Sequence, residues 1–115
     1  HILVLYILKG KIMEYIKVEV FVPEEDKWEI IEGLNEKEIL KDKGYDSVFS
    51  ETKAVGHFTP LKGSNPERGE IAKPCDVAEK KLEFRIRKDD KDLAYDIIKK
   101  NHPYEVPIIN FINLL

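Results

Sequence analysis

Two segments of the chain alternate apolar and polar residues with a period of two, and no other feature restricts the fold as strongly. The first is 15–22 (YIKVEVFV) and the second is 82–87 (LEFRIR). A period of two with β-branched or aromatic residues predicts strands that bury one face and expose the other. The chain therefore needs a sheet that is covered on one side.

A helical pattern follows the first strand. Pro23 suits the first turn of a helix, and the acidic residues 24–26 lie where the positive end of the helix dipole is expected. Apolar residues recur at helical spacing from Trp28 to Leu34. This pattern predicts a helix that continues to about Leu40, with Trp28 in the core.

A second helix is predicted after the second strand. Asp89 or Asp90 can cap its start, and apolar residues fill one stripe between 93 and 98. Asn101 tolerates the left-handed conformation that ends many helices. A last apolar segment, 106–115, is expected to add one more strand.

The middle of the chain joins these two units. Residues 45–58 are strand-like, with a break expected near Lys53, and 59–74 form a long loop rich in proline and glycine, which Cys75 extends. The predicted order is strand, helix, strand, strand, helix, strand. This order predicts an α+β fold of the ferredoxin-like type, β-α-β-β-α-β, with a four-stranded antiparallel sheet and two helices on one face.

Length, charge and cysteine content restrict the class of protein. With 115 residues the chain accommodates one domain of ordinary size. Its 19 basic and 22 acidic residues give a net charge of -3, which does not favour nucleic acid as a partner. Cys75 is the single cysteine, so an internal disulfide is excluded and a cytoplasmic location is expected.

The N-terminal segment is expected to be an extension, 1–12, ahead of a single domain at 13–115. His1 indicates the remnant of a tag or the edge of a longer sequence. Residues 2–8 are continuously apolar, but they are far fewer than the roughly 20 residues that span a bilayer, so no membrane contact is expected. The segment is either an extra strand or a stretch that precedes a natural start at Met13, and the second interpretation is preferred.

Three motifs, taken together, resemble a known family. They are FVPEE at 21–25, a segment that runs from Tyr45 and Asp46 to GSNPERGE at 63–70, and HPYE at 102–105. In this order and at these separations they resemble the domain inserted in YqfO-type members of the Nif-three-like family, which also occurs as a stand-alone protein. The resemblance covers residues 15–113.

The resemblance implies a fold similar to that of CutA and PII-type proteins, and it implies a homotrimer. It also implies that the paired metal ions of the parent family lie outside this domain, so the hydrolase-like activity of that family is not carried over. Three departures from the motif pattern are 37–43 in place of a glycine-rich turn, Ala54 in place of glycine and Val106 in place of an acidic residue. The first argues against a ligand contact by the backbone of that turn.

The HPYE segment carries the side chains best suited to bind a ligand. His102, Tyr104 and Glu105 combine an imidazole, a phenol and a carboxylate. One interpretation is a ligand or metal contact. The favoured interpretation is a helix stop, in which Pro103 ends the turn and His102 contacts the last carbonyls of the helix.

The turn at Gly63, Ser64 and Asn65 is a second candidate for ligand binding. Backbone amides in such a turn can bind an anion. Ordinary turn chemistry also explains these residues, and it is the favoured interpretation.

A third candidate is a metal site formed by His57, His102 and Glu105, with a divalent cation as its cofactor. Four ligands would have to converge from separate segments, so an exposed or hydrogen-bonded histidine is the favoured interpretation of His57. The sequence requires no cofactor.

The leading hypothesis for function is a non-catalytic, oligomeric binding or regulatory domain. Its uncovered sheet face, with Tyr15, Phe21, Ile109 and Phe111, is expected to form the subunit interface. The alternative is a small-molecule or divalent-cation sensor of CutA/PII-like type. An enzyme is disfavoured because no nucleophile with an adjacent base is visible. RNA binding is disfavoured because LEFRIR lacks the aromatic pattern of such sheets.

Overall fold

The computed structural model describes residues 14–114. Its elements are β1 (Tyr15–Val22), α1 (Lys27–Glu36), β2 (Ser50–Phe58), β3 (Cys75–Arg87), α2 (Lys91–Asn101) and β4 (Ile109–Asn113). This is the predicted order of strands and helices. The expected extension at 1–12 and the start at Met13 lie outside the described residues.

The strands form one four-stranded antiparallel sheet in the order β2-β3-β1-β4. The two helices pack together on one face of this sheet. The predicted ferredoxin-like α+β fold is therefore confirmed. None of the helices between residues 14 and 114 has the length and apolar character to cross a membrane.

The core lies between the helices and the covered face of the sheet. Ile16, Val18, Val20 and Val22 of β1 are buried, as their alternation predicts. Further buried residues come from the other elements: Ile30, Ile31, Leu34, Ile39, Leu40, Leu82, Phe84, Ile86, Ala94 and Ile98. Each large apolar side chain contributes about 1.5–3 kcal/mol when it is fully buried.

The first helix differs from its prediction at both ends. Trp28 is 53% exposed and packs edge-to-face on Phe49, whereas Lys27 is buried and its ammonium group binds Glu24 and Glu51. The helix ends at Glu36 rather than Leu40. It ends there because Glu38 adopts a positive φ of 61°, which no right-handed helix accommodates.

The second helix stops before Pro103, as the favoured interpretation of HPYE predicts, but Asn101 is not left-handed and the His102 ring contacts the carbonyl of Phe21 instead of the last carbonyls of the helix. Asn101 is the last helical residue, and its side chain donates to the carbonyl of Ile97. His102 is extended, with φ -91° and ψ 136°. Pro103 enforces this conformation, because a proline disfavours the α region in the residue before it.

The central strands are more continuous than the sequence indicated. β2 passes through Lys53 without a break, and β3 begins at Cys75, which is therefore a strand residue and not a loop residue. β1 ends at Val22, opposite Lys80. The paired segments 54–58 and 75–79 consequently extend beyond β1 as a two-stranded ribbon, which we call the arm. A lone ribbon of this kind is only marginally stable in water.

The uncovered face of the sheet carries charge where apolar residues were expected. Tyr15 and Phe21 lie on this face. Ile109 and Phe111 do not, because they pair with Val20 and Val18 and pack against the core; opposed residues of an antiparallel pair point to the same side. The centre of the uncovered face is an ion-pair network of Lys17, Glu19, Lys81 and Glu83.

Candidate functional site

His102 fixes the end of α2 to the end of β1. Its Nε2 lies 2.7 Å from the carbonyl oxygen of Phe21, and its Nδ1 accepts a hydrogen bond from the backbone N–H of Tyr104 at 3.1 Å. Because Nδ1 is an acceptor and Nε2 must donate to a carbonyl, the ring is a neutral imidazole with its proton on Nε2. Burial lowers the pKa of His102, which agrees with this geometry.

Tyr104 connects the HPYE segment to the arm. Its hydroxyl donates to Oε2 of Glu79 at 2.8 Å, and its ring packs against Phe58 of β2 and against His102. Burial, followed by the hydrogen bond to Glu79, raises the pKa of Tyr104 above its usual value. The phenol therefore stays protonated and acts as a hydrogen-bond donor.

Glu79 is a buried carboxylate on the arm, with 8% of its surface exposed. It fits against the backbone of Gly56 on the neighbouring strand, where a Cβ atom would lie 2.2 Å from Oε1. Within the part of the chain that the structure describes, no Lys, Arg or His nitrogen lies within 4 Å of this carboxylate. Its one side-chain hydrogen bond there is the one from Tyr104.

The 59–74 loop folds back over the arm and is tied down at three points. The N–H of Ala72 donates to the carbonyl of Pro60 at 2.6 Å, which closes the loop at its base. The N–H of Asn65 donates to Oε1 of Glu105 at 3.2 Å. Arg68 forms an ion pair with Glu25, in the short turn that precedes α1. The loop is thus held to both of the other motifs.

A cavity of about 410 Å³ opens between the arm, the 59–74 loop and the segment that leads from α2 to β4. Its walls are mostly apolar and aromatic, and Glu79 lies among them. The lining residues are Phe21, Val55, Gly56, His57, Phe58, Pro60, Ser64, Pro66, Glu67, Arg68, Glu79, Tyr104, Glu105, Val106 and Ile108. Residues from all three sequence motifs are therefore brought to one place.

The candidate ligand residues are only partly brought together. Ser64, Tyr104 and Glu105 line the cavity. Gly63 and Asn65 do not line it, and Gly63 supplies a positive φ of 99° to the turn. His102 also does not line the cavity, and both of its ring nitrogens bind backbone atoms.

The candidate metal ligands do not form a set. His57 is exposed and pairs with Asp76, with Nδ1 and Oδ1 2.9 Å apart. Glu105 is occupied by the amide of Asn65, and His102 has no free nitrogen. Across residues 14–114, no group of three or more His, Cys, Asp or Glu side chains is arranged to hold a metal ion.

The sequence did not reveal Glu79, which is the only buried acidic side chain among the described residues. Gly56 carried a signal that points to it, since a glycine inside a strand often marks a close approach by another group. That approach is made by the carboxylate of Glu79. Its position on β3 was missed because β3 begins before the alternating segment at 82–87.

A larger depression, of about 660 Å³, lies at the other end of the sheet. It is bordered by Tyr15, by the turn at 37–43 and by Arg85, which pairs with Asp42. None of the charged side chains that line it is buried. We therefore take the smaller, aromatic cavity as the candidate site.

The chain is similar in sequence to one segment of longer bacterial proteins. No protein-family model matches the chain. A GTP cyclohydrolase 1 type 2 homolog from Staphylococcus aureus strain Mu50 is 35% identical over 100 residues, which are 87% of this chain and 27% of that protein. The chain thus spans about a quarter of the length of the curated relatives that it matches.

Two solved structures share the fold. A Bacillus cereus protein related to NIF3 superposes with a TM-score of 0.75 at 22% identity, over 89% of this chain and 26% of that one. The periplasmic divalent cation tolerance protein CutA from Archaeoglobus fulgidus superposes with a TM-score of 0.65 at 17% identity, over 87% and 83% of the two chains. At these identities the structural likeness concerns the fold alone.

Proposed function

We propose that this chain, a homologue of one segment of the NIF3-like proteins with a CutA-like fold, is a binding and assembly domain rather than a catalyst. The resemblance predicted from the three motifs is confirmed by these relatives. The name of the Staphylococcus aureus relative refers to a whole protein, of which the chain covers 27%. We propose no cyclohydrolase reaction for this segment.

The observation that carries the proposal is the aromatic cavity with a carboxylate in its wall. Its volume of about 410 Å³ falls within the range of small-molecule sites, roughly 300–1,000 Å³. Such sites combine apolar walls with a few placed polar groups, and Tyr104, Glu79 and Glu105 are such groups here.

Two titratable groups of the HPYE segment, Tyr104 and His102, are not available for proton transfer. Tyr104 is a fixed donor because its pKa is raised. His102 is a neutral ring whose two nitrogens already bind backbone atoms. A general base must reach the proton it removes, and neither of these groups is free to do so. We therefore assign Ser64, Tyr104 and Glu105 to ligand contact, and Gly63, Asn65 and His102 to the support of the walls.

Binding in this cavity can be tested with a neutral aromatic probe, 2-phenylethanol, titrated into isotope-labelled protein. We expect amide shifts to concentrate at Gly56, Phe58 and Tyr104. The variant Val106→Trp should block the mouth, because Val106 lines the cavity and is 78% exposed. The matched control is Leu93→Trp on the exposed surface of α2. Shifts that are absent, or equally strong in the Val106→Trp variant, would refute the proposed site.

We also propose that the domain self-associates, with the homotrimer implied by the family resemblance as its form. Two exposed apolar side chains, Val55 of the arm and Val106, border the same cavity. The edges of a two-stranded ribbon are open to pairing with another chain. The arm is therefore a better candidate for the interface than the charged face of the sheet.

Native mass spectrometry of the 115-residue chain at micromolar concentration tests this assembly. We expect three copies of the 13.4 kDa chain. A single 13.4 kDa species at all concentrations would overturn the proposal. A cytoplasmic location is likewise a proposal, supported by the lone Cys75, and cell fractionation would test it.

A further inference from the structure

We propose that the cavity binds an organic cation, whose ammonium or guanidinium group pairs with the carboxylate of Glu79 and whose apolar body lies along the aromatic wall. This inference rests on the proposed function, and it adds the chemical class of the ligand. It follows from the environment of Glu79, from the states of the nearby basic groups and from the character of the walls.

Glu79 is a largely buried carboxylate, and one of its oxygens binds no other side chain of the described residues. That oxygen keeps some contact with solvent, since no fully buried side-chain oxygen between residues 14 and 114 lacks a partner. The side chain is 8% exposed and lines the cavity. Tyr104 satisfies Oε2, whereas no side chain among residues 14–114 donates a hydrogen bond to Oε1. Buried carboxylates are normally paired with a cation, because the loss of hydration is otherwise uncompensated.

The basic side chains closest to the site are already committed elsewhere. Arg68 lines the cavity, but its guanidinium group pairs with Glu25. His57 also lines the cavity, but its ring pairs with Asp76. His102 is neutral by its hydrogen-bond geometry. The chain itself therefore supplies no cation to Glu79 within the described residues.

A metal ion fits this position poorly. Metal sites in proteins are formed by several oxygen, nitrogen or sulfur ligands, and no such group occurs between residues 14 and 114. Phe58 and Tyr104 instead line the cavity with aromatic rings, and the face of an aromatic ring attracts an organic ammonium group. Phe21 and Ile108 provide an apolar surface for the rest of the ligand.

The charged residues that line the cavity also favour a cation over an anion. Glu67 and Glu105 line it together with Glu79. The charge of Arg68 is offset by Glu25, which leaves the lining acidic. Acidic walls attract cations and repel anions, so an anionic ligand is disfavoured at this site.

The test compares two probes that differ only in the charged group. They are 2-phenylethylamine, which is a cation at neutral pH, and the neutral 2-phenylethanol, each titrated by calorimetry and by amide shifts. A hydrogen bond to a charged group contributes about 1.5–3 kcal/mol, so we expect the amine to bind at least about tenfold more tightly. Both probes should shift the amide of Gly56, which lines the cavity beside Glu79.

The variant Glu79→Gln separates charge from shape. Its amide oxygen can still accept from Tyr104, so the wall keeps its form while the charge is removed. We expect affinity for the amine to fall to that for the alcohol, with the alcohol unaffected. Glu32→Gln, on the exposed side of α1, is the matched control and should change neither affinity. The comparison of the two probes on the unmodified protein needs no variant to fold.

The outcomes distinguish this inference from the proposed function. Equal affinities of the two probes in the cavity would refute the cation and leave the binding function intact. Failure of both probes to shift the cavity amides would refute the binding function itself. Magnesium chloride binding that depends on Glu79 would replace the organic cation with a metal ion. A tenfold preference for the amine that disappears in Glu79→Gln would establish the inference.

Discussion

The carboxylate of Glu79 occupies the space that a side chain at position 56 would need. An added Cβ atom on Gly56 would lie 2.2 Å from Oε1 and 2.8 Å from the carboxyl carbon. The two residues belong to neighbouring strands of the arm, so the glycine permits the carboxylate to lie flat against the backbone. The position of a charged group in the cavity wall therefore depends on the absence of a side chain across from it.

The variant Gly56→Ala should consequently be destabilising. The clash forces Glu79 away from Tyr104, and we expect a loss of about 1–3 kcal/mol in the free energy of unfolding, measured by chemical denaturation. This exceeds the gain of about 0.4–1 kcal/mol that replacing glycine gives by restricting the unfolded chain. In a Glu79→Ala background the same change should be neutral or stabilising, and an additive double variant would contradict the explanation.

Stability should fall in mildly acidic solution because of His102. Burial lowers its pKa in the folded state, so the unfolded chain takes up a proton first. The contribution is fully present above the unfolded pKa of about 6.5 and is lost as the pH falls toward the lower folded pKa. Glu79 and Asp26 oppose this shift but do not outweigh burial. Denaturation between pH 8 and pH 5 should show the loss in the parent protein but not in His102→Gln.

A second loss of stability is expected in stronger acid, on the uncovered face of the sheet. Hydrogen bonds from Lys17 and Lys81 lower the pKa of Glu83 to about 2. A carboxyl group with a depressed folded pKa contributes stability above its unfolded pKa of about 4.5, and this contribution is lost as the pH falls toward 2. Glu83→Gln should flatten this part of the profile. High salt should reduce the effect, because the network is partly open to solvent; an unchanged profile in 1 M salt would point to another group.

The core should respond to truncation far more than an exposed position of the 59–74 loop does. Leu82 is fully buried at the centre of β3, and Leu82→Ala should lower the free energy of unfolding by about 2–5 kcal/mol. Leu61 has the same side chain but is 69% exposed. Leu61→Ala should therefore change stability by less than about 0.5 kcal/mol. Similar losses in the two variants, measured by urea denaturation, would contradict the assignment of the core.

Sequence reasoning predicted those parts of the fold in which the local pattern of apolar residues matches the residues that the structure buries. The alternation in β1 identified its buried side, because each polar residue of that strand has an uncovered face to occupy. Ile109 and Phe111 were assigned to the wrong face because their side is set by pairing with β1. A short apolar segment contains no information about its register with another strand.

The burial of Lys27 in place of Trp28 also depends on a contact with another strand. Helical spacing places either residue near the apolar stripe, and hydrophobicity favours Trp28 for the core. The structure instead buries Lys27 because Glu24 and Glu51 converge on its ammonium group, and Glu51 lies on β2. That tertiary ion pair cannot be inferred from the helix alone.

Only part of the candidate site could be predicted, because the rest of it depends on contacts between distant segments of the chain. The motifs at 63–70 and 102–105 were identified as functional candidates, and they do meet, through Asn65 and Glu105. Glu79 belongs to no motif and follows no local rule. It becomes part of the cavity wall because β3 extends past the end of β1, a length that depends on pairing with β2.

The position of β1 in the sheet has a consequence for how the protein is made. β1 comes first in the described chain, yet it lies between β3 and β4, so both of its neighbours are synthesised after it. During synthesis its valine-rich strand has two unpaired edges, and such edges are templates for misassembly. The last pairing, in which Ile16 meets Asn113, completes the sheet only when the final strand is available. Loss of β4 would therefore be expected to cause aggregation before it altered any binding property.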